Sequence, residues 1–118
     1  MVDEFAETYA RLRAIMLEAA RSAAVTRDEP GALELRTQAI DPKTKQPGWF
    51  GAVTTKKSYV AYHLMPLYAA PALADGISPA LAKRRQGKTC FNFKKPDEAL
   101  FDELSALTRQ CAANMRMD

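Results

Sequence analysis

The chain has one histidine, one tryptophan and two cysteines among its 118 residues, and each scarcity closes off a class of chemistry. A lone His63 cannot supply the several ligands of a structural or catalytic zinc centre. Cys90 and Cys111 form no CxxC pair and stand behind no basic, apolar leader, so free, packed thiols in a cytoplasmic protein are expected. No apolar run approaches the roughly 20 residues of a membrane span, and no membrane partner is expected. No Walker-type glycine loop is present, which removes the usual signature of nucleotide hydrolysis. No recognised nucleic-acid motif occurs either, so nucleic acid is not an expected partner. Neither an activated nucleophile nor an acid–base pair can be read from the spacing, and the chain is expected not to be an enzyme.

What is there is an ordinary globular composition, 47% hydrophobic and 26% charged, in a length that suits one domain over residues 1–118. The net charge of +3 is unevenly spread. Residues 1–30 carry 4 basic and 6 acidic side chains, residues 31–96 carry 11 and 3, and residues 97–118 carry 2 and 5. A basic middle of this size offsets the acidic ends, and it also creates a positive potential able to draw an anion or an acidic partner.

Residues 2–24 repeat Phe5, Tyr9, Leu12, Met16, Ala19 and Ala23 at steps of three and four, which predicts one amphipathic helix, with Asp3 available to cap it. Arg27 to Gly31 reads as a breaker. Leu33 to Thr37, Trp49 to Thr55 and Ser58 to Leu64 read as strands, the last two joined as a hairpin across Lys56-Lys57, a poor pair for a tight turn. Ser78-Pro79 should open a short helix over 80–85 that Gly87 stops, and Thr89 to Phe93 should be the last strand, with Phe91 and Phe93 on one face and Cys90 and Asn92 on the other. Asp97 then caps a final helix with the stripe Leu100, Leu104, Leu107, Cys111 and Met115. The sum is an α+β protein, an antiparallel β-sheet covered by N- and C-terminal helices in a two-layer sandwich.

The succession Tyr59 to Tyr68, Ile77 to Leu81, Arg85 to Lys94 and Leu100 to Leu104 resembles the YdhG-like family of small bacterial proteins. The likeness covers residues 32–108 well and the first helix loosely. It implies the same sandwich, and because some relatives are described as frataxin-like iron chaperones, it implies iron as an alternative cofactor. Iron would ask for exposed carboxylates, here Asp3, Glu4 and Glu7 with Asp28 and Glu29 nearby.

The leading expectation is a binding domain with a pocket between the sheet and residues 65–88. Trp49, Tyr62, Met65 and Tyr68 would wall it, His63 would be its polar group, and Arg84, Arg85 or Lys88 would hold a small anionic ligand or an acidic protein partner. A homodimer is a further expectation, should the uncovered sheet face prove apolar. His63 would become a base for Cys90 only if their strands were neighbours and both side chains shared a face.

Overall fold

The computed structural model describes residues 4–21, 23–40, 45, 47–69, 71–87 and 89–114. Helix α1 (Glu4–Ala19) leads into strands β1 (Ala24–Glu29), β2 (Ala32–Ile40), β3 (Pro47–Thr55) and β4 (Val60–Leu64). Helix α2 (Pro66–Ala69), a 3₁₀ turn (Pro71–Ala74) and helix α3 (Pro79–Ala82) precede the short β5 (Arg85–Gln86), β6 (Cys90–Phe93) and helix α4 (Glu98–Asn114). The six strands form one antiparallel sheet in the order β1-β2-β3-β4-β6-β5. Among the described residues no helix is long and apolar enough to cross a membrane.

The expected two-layer sandwich is the one found. Leu12 and Met16 of α1 and Leu100, Phe101, Leu104 and Leu107 of α4 meet Leu33, Leu35, Val53, Tyr62, Leu64, Phe91 and Phe93 of the sheet in one core. Burying each such side chain is worth about 1.5–3 kcal/mol, which is what holds two helices on one face. Phe93 and Phe101 meet edge to face, with centroids 5.2 Å apart. Leu67, Ala74 and Leu81 join this core, so α2, the 3₁₀ turn and α3 pack on the helical side of the sheet.

Two caps act as their sequences predict. The Leu100 amide donates to Asp97 Oδ1 at 3.2 Å, and the Leu81 amide donates to Ser78 Oγ at 3.1 Å with Pro79 in the first turn. Glu103 of α4 accepts from both the amide and the hydroxyl of Ser78 at 2.6 Å, tying α3 to α4.

Several local expectations are corrected. The first helix ends at Ala19, and residues 24–29, read partly as helix and partly as breaker, form β1. This edge strand is exposed at five of its six positions, so it lacks the apolar alternation by which a strand is recognised. Its Arg27-to-Glu29 part continues the strand, and Pro30-Gly31 is the two-residue turn into β2, with Gly31 at φ 79°. A bulge between Val25 and Arg27, and the ion pairs Arg13–Asp28 and Arg27–Glu29, blunt this edge against pairing with another chain. The β3–β4 loop is four residues, closed by the Lys56 amide on the Tyr59 carbonyl at 2.7 Å. The short helix stops at Ala82, and Gly87, at φ 78°, serves the β5–β6 hairpin rather than a helix end.

Candidate functional site

Side chains alternate along each strand, so one half of the sheet residues face away from the helices. The register sets Ala52, His63, Cys90 and Gln86 in one row across β3, β4, β6 and β5 of that open face. Thr54, Ala61 and Asn92 form the next row, extended by Arg84, whose carbonyl accepts from the Asn92 amide at 2.8 Å. At this end of the face lies a hollow of about 180 Å³ lined by Tyr59, Lys83, Arg84, Gln86, Asn92 and Lys94. Three of the six side chains are cationic and none is a carboxylate. Tyr59 offers a ring and a hydroxyl, Asn92 and Gln86 offer amides, and Arg84 has the planar fork that suits a carboxylate or phosphate.

Cys90 does not itself line the hollow but adjoins two residues that do, Asn92 along β6 and Gln86 across the register on β5. Its thiol donates to Asn92 Oδ1 at 3.2 Å, and its sulfur lies 3.7 Å from His63 Nε2 on the adjacent strand. The condition for pairing the two, neighbouring strands and a common face, is therefore met. Burial, and then the charge of Lys56, push the His63 imidazole below the usual histidine value. Burial also pushes the Cys90 thiol up, offset in part by Lys56 and by a backbone hydrogen bond from Tyr62. At neutral pH the resting pair is a thiol beside a neutral imidazole.

The His63 shift has a consequence for stability. A histidine whose folded value is lowered stabilises the fold above its unfolded value of 6.5 and loses that contribution as pH falls through the lower, folded value. The melting temperature of the native chain is expected to drop on acidification below 6.5, and His63→Gln is expected to flatten that part of the curve. Asp28, held below its ordinary 3.8 by the Arg13 hydrogen bond, acts by the same sign in a separate, more acidic window. Thermal melts from pH 4.5 to 7.5 test this, and an unchanged slope in His63→Gln would refute it.

The predicted pocket walls do not come together. Tyr62 is fully buried under the helices with its hydroxyl 2.7 Å from Thr108 Oγ1, so it has no surface for a ligand. His63, its neighbour in the chain, necessarily points to the opposite face, so the two cannot line one pocket. Met65 is half-buried beyond the end of β4, its amide donating to the Phe50 carbonyl at 2.9 Å. Arg84 lines the open-face hollow, whereas Arg85 pairs in register with Phe91 on the helical side. The Trp49 and Tyr68 side chains and all of Lys88 lie outside the described residues.

Of the acids proposed for iron, Asp3 and the Glu4 side chain also lie outside the described residues, and Glu7 is exposed on α1. Asp28 and Glu29 are engaged by Arg13 and Arg27 at 2.6 and 2.8 Å. Among the described residues no three His, Cys, Asp or Glu side chains are grouped to hold a metal ion. Val25 is the one large hydrophobic side chain that is exposed among the described residues.

Two larger hollows, about 550 and 450 Å³, follow the outer seam between α1 and α4, and Glu18 and Arg109 line both. Acids and bases alternate there, with Glu7, Arg11 and Asp102 in the smaller one. Size favours the seam, but its charges partly cancel, and no cysteine or histidine lines it. The open-face hollow carries charge of one sign, and the thiol–imidazole pair lies in the row that includes its Gln86. Tyr59, Lys83, Gln86, Asn92 and Lys94 were absent from the predicted site; the alternation of Cys90 and Asn92 against Phe91 and Phe93 was the signal that places Asn92 there.

No family model, no curated protein and no solved structure matches the chain.

Proposed function

We propose that this chain is a cytoplasmic, YdhG-like, non-enzymatic binding domain whose open sheet face takes a small anionic group, either a free ligand or the acidic terminus of a partner. The observation that carries the reading is the hollow in which Lys83, Arg84 and Lys94 converge beside Tyr59 and Asn92 without a carboxylate. About 180 Å³ is below the roughly 300–1,000 Å³ of pockets that enclose a drug-sized ligand. The site suits a carboxylate or phosphate head with its remainder in solvent. The free Cys90 and Cys111 support the proposed reducing compartment.

A ligand that binds only the folded state raises the melting temperature. At about a hundredfold excess over Kd the gain is about 2.7 kcal/mol, or roughly 10 °C for a domain of this size. Citrate, orthophosphate and short acidic peptides are expected to raise the melting temperature, less so as salt is added. Arg84→Gln/Lys94→Gln is expected to abolish the rise. No rise with any of these anions, or an equal rise in the double variant, would defeat the proposal.

A further inference from the structure

We propose that Cys90 is a site of mixed-disulfide formation with small anionic disulfides, which the basic hollow holds against its sulfur. The inference rests on the anion-binding reading above and names the chemical class of one ligand for that site.

Three features of the open face converge on it. Cys90 is half-buried, and its sulfur lies 3.7 Å from His63 Nε2, close enough for its proton to pass to the imidazole. Asn92 both accepts the thiol hydrogen bond and lines the hollow, and Gln86, which also lines it, is the register partner of Cys90 on β5. A molecule whose acidic end sits among Lys83, Arg84 and Lys94 therefore has the rest of its length beside the sulfur. Lys56 acts electrostatically on both His63 and Cys90, adding a fourth positive charge to their surroundings. Such a field concentrates anions and disfavours cations.

The same geometry argues against a metal. Among the described residues no third His, Cys, Asp or Glu joins Cys90 and His63, and the cations around them oppose a further positive charge.

The step conserves atoms and electrons. The Cys90 thiol gives its proton to His63 Nε2 as its sulfur attacks one sulfur of the bound disulfide. The new bond joins Cys90 to that half, the old sulfur–sulfur bond breaks, and the released thiolate takes the proton back from the imidazolium. Cys90 is oxidised, the departing half is reduced, and the disulfide itself is the oxidant. Because Cys90 rests as a thiol, it is not indiscriminately reactive. Selectivity comes from what the hollow holds in place.

Cys111 provides an internal control. It is fully buried on α4, and burial pushes its thiol up to about 11. It should react only after unfolding.

The test is intact-mass kinetics on the full chain with three disulfides of different charge: oxidised glutathione, neutral 2-hydroxyethyl disulfide and dicationic cystamine. A single adduct is expected, at Cys90, absent in Cys90→Ser, and formed about tenfold or more faster with oxidised glutathione than with cystamine. Arg84→Gln/Lys94→Gln should remove that preference while leaving the rate with the neutral disulfide unchanged.

His63→Gln should slow all three reagents. It should also leave a rate that climbs about tenfold per pH unit as the thiolate forms, where the wild type is flatter. The charged and titratable groups that bear on this profile are Lys56 from the β3–β4 loop, Tyr59, Lys83, Arg84 and Lys94 lining the hollow, and Glu34 and Arg27 farther along the row on β2 and β1. Glu34 is engaged by Arg36 at 2.9 Å.

Rates that ignore reagent charge, or no adduct without denaturant, would overturn the inference. The parallel melting experiment with citrate separates the two readings. A citrate shift retained in Cys90→Ser alongside charge-blind thiol rates defeats the disulfide inference alone, whereas loss of the citrate shift in the native chain defeats the anion site itself.

Discussion

Truncating Tyr62 to alanine is expected to cost about 3–5 kcal/mol, the range for removing a large aromatic from a packed core. Folded domains are stable by only about 5–15 kcal/mol, so this variant should be near or past its unfolding threshold at ambient temperature. Tyr62 is at 0% exposure in the middle of β4, beneath α4, and its hydroxyl lies 2.7 Å from Thr108 Oγ1. The Thr108 hydroxyl already donates its one hydrogen to the Leu104 carbonyl at 2.8 Å, which makes Tyr62 the donor between them.

That direction predicts an asymmetry. In Tyr62→Phe, Thr108 keeps its bond to Leu104 and loses only an incoming donor, for a cost of about 0.5–1.5 kcal/mol. In Thr108→Val the Tyr62 hydroxyl keeps its proton but loses its acceptor in a dry interior, for about 1–3 kcal/mol. The double variant should be more stable than Thr108→Val alone. Urea unfolding of the four proteins measures this, and a double variant at the sum of the two single losses would contradict the assigned direction.

Gly51→Ala is the second substitution with a large expected effect, although it adds only one methyl group. A Cβ at residue 51 would lie 2.6 Å from the His63 carbonyl oxygen and 2.7 Å from Met16 Cε. The methionine is flexible and can move aside. The carbonyl cannot, because it belongs to β4, which is paired to β3 at this register. Overpacking of this kind costs about 1–3 kcal/mol, or roughly 5–15 °C in melting temperature. Shortening the methionine in Met16→Ala/Gly51→Ala should not restore stability, since the backbone clash remains. A Gly51→Ala protein within about 0.5 kcal/mol of the parent would show that the β3–β4 spacing can widen freely.

Gly51 also shows where the sequence was informative and where it was not. The strand carrying it is legible from Trp49, Phe50 and Val53, yet nothing local reveals that a methionine from α1 and a carbonyl from β4 close over it. The helices and central strands could be read because their burial is periodic, as in Leu12 and Met16 of α1 or Phe91 and Phe93 of β6. Strand β1 could not, since only one of its residues is even half-buried.

The site divides in the same way. Arg84 was named as an anion contact alongside Arg85 and Lys88, and a shared face for Cys90 and Asn92 followed from alternation. Tyr62 and His63 were assigned to one pocket although adjacent strand residues face opposite ways. Tyr59 and Lys94 border the hollow only because β4 pairs with β6 across 26 intervening residues, Val60 to Phe93 and His63 to Cys90. Such a crossover is set by tertiary packing, not by local pattern.

The most direct test of the central claim is to map the site by amide chemical-shift titration of the labelled protein with citrate. The open-face reading predicts that the shifts cluster at Tyr59, Lys83 to Gln86, Asn92 and Lys94, saturate together, and vanish in Arg84→Gln/Lys94→Gln. Shifts gathered along the α1–α4 seam at Arg11 and Arg109, or none at all, would contradict it.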